Sequence, residues 1–289
     1  MKTKIIITGI SAFCVLYSAF SARAGTTIDS ANKYAYGANV GWLNAYADGA
    51  NGAVIGEYVC SGYLYVANVG WIHLGSGSPA DGIQYQNNSA TDFGVNQDGL
   101  GSLRGYAWGA NIGWINFEDS GAPKVDLYTG RMSGYVWSAN SGWISLSNAV
   151  AYVQTDAIAP GADTDGDGIP DAWEYINFRN LTTANATSDT DHDGVSDKDE
   201  YLAGTNPNNA GDYLRITAIT RGVYGPTYTT LQWTSVPTRF YAVQQTDALG
   251  GLPFADLFVL PFVGANNAGF DDYGTNSFYR IRAFRPLTP

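Results

Sequence analysis

The chain has 289 residues, a formal charge of −11 at pH 7 and 35 glycines, and aromatic residues make up 14% of it. This acidic balance argues against nucleic acid as a partner, because binding to phosphates depends on basic patches. Charged residues are only 14% of the chain, and such a composition is typical of β-structure with many tight turns. The length is sufficient for about two or three domains.

Residues 1–24 have the pattern of a secretory signal peptide. A short basic start is followed by an apolar stretch over residues 5–20, and Ala22-Arg23-Ala24 places small residues at the two positions that a signal peptidase reads. A retained membrane anchor is the alternative, but polar residues interrupt the apolar stretch. We therefore expect cleavage after Ala24 and an extracellular or cell-surface protein without a membrane span in its mature form.

Residues 25–150 contain a repeat. Four segments share the pattern Tyr, any residue, an aromatic residue, any residue, Ala-Asn, any residue, Gly-Trp, then Ile or Leu. Each copy predicts a β-hairpin that turns at Asn-x-Gly, because Asn and Gly tolerate the positive φ angles of tight turns. Short hairpins bury little surface alone, so we expect one closed or layered β-domain. The copies cover residues 34–43, 63–72, 106–115 and 135–144.

The repeated aromatic side chains allow two interpretations. The favoured one is packing in the core and across strands, because a residue that recurs at one place in every copy is usually architectural. The other is a polysaccharide-binding surface. Burial of the four repeat tryptophans would favour the structural role, and an exposed flat row formed by the second aromatic residue of each copy would favour the polysaccharide-binding role. The tryptophans are Trp42, Trp71, Trp114 and Trp143, and the candidate ligand surface is Tyr36, Tyr65, Trp108 and Trp137.

The repeat resembles the Gly-Tyr-Ala-Trp-x-x-Asn-x-Gly-Trp-Ile repeats of many exported bacterial proteins, and the likeness covers nearly all of residues 34–147. The resemblance implies a modular exported protein and no particular activity. His73 stands where the other copies have Asn44, Asn116 and Ser145. A single histidine without a partner is weak evidence for a metal site, so we expect a polar residue on a strand face.

Two acidic loops of twelve residues follow a segment, residues 151–162, that we expect to be a linker. Each loop has acids at positions 1, 3, 5, 9 and 12 and glycine at position 6. Calcium takes about six to eight oxygen ligands, and this spacing supplies three carboxylates, a backbone carbonyl at position 7, a water-mediated acid at position 9 and a bidentate glutamate at position 12. The ligands expected for two Ca²⁺ ions are Asp163, Asp165, Asp167, Ile169, Asp171 and Glu174 in the first loop and Asp189, Asp191, Asp193, Val195, Asp197 and Glu200 in the second.

A short helix is expected after each loop, over residues 172–178 and 198–203, and Gly204 should end the second helix. A solvated acidic linker is the alternative, but two complete matches 26 residues apart argue against it. His192 and Asp199 fall at positions that do not bind the ion, so we assign them no role.

The second loop and the residues after it, Tyr201-Leu202-Ala203-Gly204-Thr205-Asn206-Pro207, resemble the bacterial form of the thrombospondin type 3 repeat. The resemblance implies an extracellular, calcium-loaded spacer over residues 163–211. Dockerins also pair two calcium loops, but their recognition helices are longer and more apolar than the residues found here. A cohesin partner therefore ranks low.

Residues 212–289 contain short β-segments with turns at regular spacing, which predicts a β-sandwich. Val236-Pro237 separates two segments and predicts a hairpin, and Trp233 is expected in the core. The region resembles the immunoglobulin-like or fibronectin-type modules at the ends of exported bacterial proteins, and this implies no chemistry. The expected strands cover residues 213–219, 230–234, 240–245, 256–263 and 277–284. Three arginines form either a small docking strip or, as favoured, a solvated strand face: Arg280, Arg282 and Arg285.

No grouping typical of an enzyme occurs in the sequence, which has no nucleophile-elbow serine, phosphate-binding loop or pair of zinc-binding histidines. A glycosidase needs only two carboxylates, but the acids outside the calcium loops read as ordinary loop residues. They are Asp81, Asp92, Asp98, Glu118 and Asp119. We therefore expect a non-catalytic protein, in which Cys60 is a small buried hydrophobic residue.

The expected fold is mainly β: a repeat-built N-terminal β-domain, a short calcium-loop segment with two small helices, and a C-terminal β-sandwich. The expected function is that of a secreted or cell-surface calcium-binding structural or adhesive protein, in which calcium makes the connection between two β-domains rigid. The alternative is a polysaccharide-binding accessory protein. Besides calcium, we expect a polysaccharide or a surface protein as the partner, and no nucleic acid.

Overall fold

A computed structural model describes residues 25–222, 228–247, 253–260, 263–272 and 277–288. The protein is mainly β, with 41% of the described residues in strands and 6% in helices, which confirms the predicted fold class. The signal peptide predicted for the N-terminus lies outside the described residues. Within the ranges given above, no helix is long and apolar enough to cross a membrane.

The N-terminal repeats build a sheet that closes on itself. In chain order the strands are β1 (Ile28–Gly37), β2 (Gly41–Asn44), β3 (Ser61–Val66), β4 (Gly70–Ser76), β5 (Val95–Gln97), β6 (Leu103–Gly109), β7 (Gly113–Asn116), β8 (Lys124–Val125), β9 (Met132–Ser133), β10 (Tyr135–Ser138), β11 (Gly142–Ser145) and β12 (Val153–Thr155). Among the described strands, eight pair antiparallel in the order β1-β2-β3-β4-β6-β7-β10-β11, and β11 returns to β1. The sheet is therefore closed rather than layered.

Two further strands extend this closed sheet, since β5 pairs with β6 and β12 pairs with β1. Strands β8 and β9 form a separate two-stranded sheet. Because β12 and the buried side chains of Ala157 and Ile158 belong to residues 151–162, the prediction of a linker is wrong for them. Val153 in β12 is part of the same hydrophobic core as the repeats.

Each copy of the repeat forms one hairpin whose two faces carry different side chains. On the inner face small and aliphatic residues are buried, as where Ala35 lies opposite Leu43 and Val136 opposite Ile144. The outer face carries the tyrosines and tryptophans. Gly41 closes the first turn at a φ of 83°, a conformation that side chains with a Cβ rarely adopt, and the other three hairpins repeat this geometry.

The turn asparagines of three repeats tie neighbouring hairpins together. Asn39 donates its side-chain N–H to the Ser141 carbonyl at 3.0 Å, Asn111 donates to the Val69 carbonyl at 2.9 Å, and Asn140 donates to the Ile112 carbonyl at 3.0 Å. In each case the acceptor lies in the turn of the adjacent hairpin. These bonds satisfy turn carbonyls and hold the end of the closed sheet together.

The acidic segment contains the two short helices that the sequence predicts, α1 (Asp171–Asn177) and α2 (Asp197–Ala203). The side chain of Ser196 accepts the Asp199 N–H at the start of α2, as an N-cap does. Gly204 ends α2 in the left-handed region, with a φ of 76°, which confirms the predicted stop.

The C-terminal strands form two sheets around one core. They are β13 (Ile216–Arg221), β14 (Tyr228–Trp233), β15 (Phe240–Thr246), β16 (Ala255–Val259), β17 (Asn267–Asp271) and β18 (Phe278–Phe284). In the described part of the chain, the sheet orders are β13-β14-β17 and β16-β15-β18. Both sheets contribute to the core, where Trp233 contacts Tyr241 with ring centroids 6.0 Å apart, so the prediction for Trp233 is confirmed.

Two details of this sandwich differ from the sequence analysis. Strands β14 and β15 belong to different sheets, so the hairpin predicted around Val236-Pro237 is wrong: the chain crosses between the sheets there. Strand β17 was not predicted, because its sequence contains Asn, Gly and Asp, residues that are rare in strands.

Replacing Asn140 by Ala should lower the free energy of unfolding by about 1 kcal/mol, because the substitution removes a hydrogen bond that joins two hairpins. Urea denaturation followed by circular dichroism measures the difference. Asn88→Ala, at an exposed position outside the hairpins, is the control and should change stability by less than about 0.5 kcal/mol. Equal stability of the two variants would show that the side-chain ties do not hold the sheet closed.

Candidate metal centre

Each acidic loop brings its first three acids together. Among the described residues, Asp163, Asp165 and Asp167 form one group and Asp189, Asp191 and Asp193 another, and in each group the contributing oxygens lie within 4.8 Å of one another. The glycine at position 6 turns the loop back on itself. Gly168 donates its N–H to Asp163 at 3.0 Å, and Gly194 does the same to Asp189 at 2.9 Å.

The glutamates at position 12 complete each group from a helix. Glu174 in α1 and Glu200 in α2 are fully buried. Both carboxylate oxygens of Glu174 and the Oε2 of Glu200 lack a hydrogen-bond donor among the described residues, as do the Oδ2 atoms of Asp167, Asp191 and Asp193. A buried carboxylate without a partner is costly. The orphaned oxygens of each loop therefore fit a hard divalent cation such as Ca²⁺.

The pKa values of the two glutamates also indicate a cation site. Burial, with the charges of Asp167 and Asp165, raises the pKa of Glu174 to about 7. Burial, followed by the charge of Asp191, raises the pKa of Glu200 to about 8. Without a cation, a large fraction of these two carboxyl groups is therefore protonated near neutral pH, whereas a divalent cation favours their ionised form.

The acids at position 9 already have protein partners. Asp171 accepts the backbone N–H of Thr164 at 2.7 Å and its hydroxyl at 2.5 Å. Asp197 accepts the same two groups from Thr190, at 3.1 and 2.9 Å, and is fully buried. These bonds fasten the start of each loop to the first turn of its helix. The threonine at position 2 was not singled out in the sequence.

The residues at position 7 differ in their surroundings. Ile169 is fully buried, and Val195 is half-buried. Each donates its backbone N–H to the acid at position 5, at 2.8 Å in both loops. Ile169 packs in a small core with Trp173 and Tyr201, to which Tyr58 of the closed-sheet domain also contributes.

A buried cluster of charges connects α2 with both β-domains. Glu57, from the closed-sheet domain, accepts the Tyr201 hydroxyl at 3.0 Å, and Arg285 Nε lies 3.0 Å from the same carboxylate oxygen. Arg239 lies 3.5 Å from the other oxygen and donates to the carbonyls of Tyr201 and Leu202 at 2.8 and 2.9 Å. Those carbonyls end α2, where a helix leaves acceptors without partners. Glu57, Tyr201, Arg239 and Arg285 are termed the joint.

The joint was not predicted from the sequence. Arg285 is 6% exposed, so the prediction of a solvated face or docking strip is wrong for this residue. Arg282, by contrast, is partly exposed and pairs with Asp256 at 3.2 Å. Cys60 is buried, as predicted, and burial raises the pKa of its thiol to about 12.

The repeat tryptophans lie on the outer face of the closed sheet. Trp42, Trp71, Trp114 and Trp143 are each 45–46% exposed, so they do not belong to the core, which aliphatic side chains fill from the inner face. Each one contacts the second aromatic residue of its own hairpin, with ring centroids 4.7–5.1 Å apart and planes inclined by 58–63°. The candidate ligand surface is therefore exposed, but the rings of each pair are not coplanar.

These side chains continue around the sheet. At each boundary between hairpins, the polar residue two positions after the tryptophan lies opposite the second aromatic residue of the next hairpin. His73 lies opposite Trp108 and Asn116 opposite Trp137. Asn44 and Ser145 have the same relation to Tyr65 and Tyr36. The aromatic belt is Tyr36, Trp42, Asn44, Tyr65, Trp71, His73, Trp108, Trp114, Asn116, Trp137, Trp143 and Ser145.

The acidic segment is similar to a known family of calcium-binding repeats. The bacterial TSP3 repeat family matches residues 163–175 and 189–210. With the two aspartate groups, this match supports calcium binding by the segment. It covers a small part of the chain, and the resemblances drawn for the aromatic repeats and the C-terminal module are not confirmed. No curated protein and no solved structure gives a significant match.

Replacing Glu200 by Gln should change stability in opposite directions with and without calcium. In excess calcium the variant should be less stable by roughly 2 kcal/mol, because the ion loses a charged ligand. In chelator it should be at least as stable as the parent, because the neutral amide replaces a buried carboxyl whose ionisation is unfavourable without a cation. Thermal melts under both conditions test this. Asp247→Asn, an exposed position outside both loops, should show no such reversal.

The pH dependence of the folding stability should also have opposite signs in chelator and in calcium. The pKa values of Glu174 and Glu200, raised to about 7 and 8, mean that the calcium-free folded state binds protons more tightly than the unfolded state. Stability in chelator should therefore fall as pH rises from about 5 to 8. In calcium it should rise over that range, because ionised glutamates bind the ion.

The measurement is a series of melting temperatures for the parent and for the Glu174→Gln, Glu200→Gln double variant. The double variant should lose most of the difference between the two pH profiles. A parent protein whose profiles have the same slope with calcium and with chelator would contradict the assignment of these glutamates.

Proposed function

We propose that the chain is a secreted or cell-surface protein whose paired loops bind two Ca²⁺ ions and make the connection between its two β-domains rigid, in a structural or adhesive role. The observation that carries the proposal is the position of α2. Glu200 of this helix belongs to the second loop, and the next residue, Tyr201, donates its hydroxyl to Glu57 of the closed-sheet domain. Arg239 of the sandwich binds the last carbonyls of the same helix.

Calcium would act on the joint by stabilising α2. The helix has only seven residues, so it depends on its contacts rather than on its own helical propensity. The buried Oε2 of Glu200, which has no donor among the described residues, favours displacement of α2, and an ion at this carboxylate removes that tendency. One site adds about 2.7 kcal/mol when free calcium is a hundred times its dissociation constant. Displacement of α2 would withdraw Tyr201 from Glu57 and leave Arg239 without its carbonyl partners.

The two loops support each other in this role. Lys198 of α2 donates to the Asp167 carbonyl of the first loop at 2.8 Å. The first loop in turn places Ile169 and Trp173 against Tyr201. An ion in either loop therefore stabilises the surface on which α2 lies.

The protein is expected outside the cell, where calcium sites of low affinity are sufficient. Bacterial TSP3 repeats are typically extracellular, and extracellular calcium-binding modules have dissociation constants of about 10⁻⁴ to 10⁻³ M. The signal peptide expected over residues 1–24 supports export. A surface protein or a polysaccharide is the partner that we propose for an adhesive role.

We also propose that the protein is not an enzyme. Four of the acids considered for a glycosidase accept backbone N–H groups in loops, which supports an architectural role for them. They are Asp81, Asp92, Asp98 and Glu118. The side chain of Asp119 lies outside the description.

A second candidate function, polysaccharide binding, is favoured by one observation. The aromatic residues considered for a ligand surface, Tyr36, Tyr65, Trp108 and Trp137, are 38–41% exposed on the outer face of the closed sheet. This role is compatible with the first, because the belt and the calcium loops are formed by different residues.

A distance measurement between the two β-domains tests the primary function. Spin labels on Val150→Cys and Asn267→Cys occupy exposed positions in the closed-sheet domain and the sandwich. Cys60 is buried and should not react. With calcium, double electron–electron resonance should give one narrow distance distribution. With chelator the distribution should broaden, because α2 no longer holds the joint.

The matched control is the Glu174→Gln, Glu200→Gln double variant carrying the same labels. Its distribution should be broad at calcium concentrations that make the parent narrow. A parent distribution that is equally narrow with calcium and with chelator would show that calcium does not set the connection between the domains.

A further inference from the structure

The outer face of the closed sheet exposes more aromatic surface than the fold uses. The core is filled from the inner face, and the turn asparagines join the hairpins. The eight aromatic residues of the belt are 38–46% exposed. At about 200 Å² for each side chain, they present on the order of 700 Å² to solvent. The largest apolar patch of a typical monomer is about 300–600 Å², and such patches mark interaction sites.

The belt is uncharged in an acidic protein. Its polar members are Asn44, His73, Asn116 and Ser145, and burial lowers the pKa of His73, which keeps that ring neutral at pH 7. An anionic ligand would find no positive charge in the belt and would meet a chain with a net charge of −11. The chemistry of the belt therefore suits a neutral ligand with both apolar faces and hydroxyl groups.

The belt is also periodic. The order aromatic residue, tryptophan, polar residue recurs in each of the four hairpins, so equivalent side chains lie two strands apart, roughly 10 Å. A polymer of repeating units matches such an arrangement. The surface of a folded protein partner offers no comparable repeat, and the strongest contacts of such a partner cluster at one centre.

One part of the belt is reinforced by an additional aromatic residue. The ring of Phe93 lies 5.5 Å from His73 and 5.1 Å from Trp114, measured between centroids, so it bridges the second and third hairpins. Tyr63 stacks on His73 at 4.7 Å with planes inclined by 19°. The result is a continuous aromatic surface across β3, β4, β6 and β7.

We propose that the aromatic belt binds a neutral polysaccharide, and that the surface around Phe93 is its strongest subsite. The proposal rests on the second candidate function and names its ligand class and its residues. The apolar C–H faces of the sugar rings lie on the aromatic side chains. The hydroxyl groups bond to polar side chains at hairpin boundaries such as that of Asn116, whereas the Asn44 side chain already bonds to the backbone of Tyr46 and Ala47.

The test uses the full chain in calcium with three neutral polysaccharides, laminarin, glucomannan and dextran, and with the polyanion alginate. Isothermal titration calorimetry measures binding, and acrylamide quenching of tryptophan fluorescence reports whether the belt is covered. At least one neutral polysaccharide should bind saturably and protect the tryptophans, and raised salt should leave its affinity unchanged. Alginate should not bind.

Variants locate the surface. Trp114→Leu and Phe93→Leu should each weaken binding about tenfold, which corresponds to roughly 1.4 kcal/mol. Tyr128→Leu removes a 54% exposed aromatic residue outside the belt and should leave affinity unchanged. A melt in calcium first establishes that each variant is folded. Should Trp114→Leu fail to fold, Phe93→Leu and the protection of the unmodified protein decide the question.

Several outcomes would overturn the proposal. They are the absence of binding to all three neutral polysaccharides, binding to alginate alone, and equal affinity of all three variants. Protection that grows with protein concentration in the absence of polysaccharide would show instead that a second copy covers the belt. None of these outcomes alters the effect of calcium on the distance between the domains, so the primary function stands or falls separately.

Discussion

The buried carboxylates of Glu174 and Glu200 are the constraint on which the acidic segment depends. Both are withdrawn from water with oxygens that no described donor satisfies. A divalent cation in each loop would satisfy these oxygens, which belong to glutamates of the two short helices. Helix α2 carries Glu200 and then Tyr201, the residue that donates its hydroxyl to Glu57. In the proposed function, ion binding at one carboxylate therefore stabilises a contact between distant parts of the chain.

The two faces of the closed sheet carry different side chains, buried aliphatic residues inside and exposed aromatic residues outside. Its inner face and its turn asparagines supply the packing and the ties that hold four hairpins together. The outer aromatic pairs add stability across strands, yet nearly half of each repeat tryptophan remains in water. The same repeat therefore supplies core residues on one face and exposed aromatic pairs on the other.

The sequence predicted local features well and long-range ones poorly. The spacing of acids, the helix stop at Gly204 and the hairpin turns follow from short-range rules. A period of two does not say which face of a strand is inside when both faces are apolar, so the sequence left open whether the tryptophans face the core or the solvent. The joint pairs Glu57 with Arg285, which are far apart in sequence, and no local pattern in a single sequence reveals such a pair.

Hydrogen–deuterium exchange with and without calcium tests the central claim most directly. The amides of Glu57, Ile158 and Ala159 bond across the region around the joint, to carbonyls of Ala159, Leu287 and Ile55. None of them belongs to the acidic loops. Calcium should slow exchange at these amides together with those of α2. Slowing confined to residues 163–203 would show that the ions order their own loops and leave the connection between the β-domains unchanged.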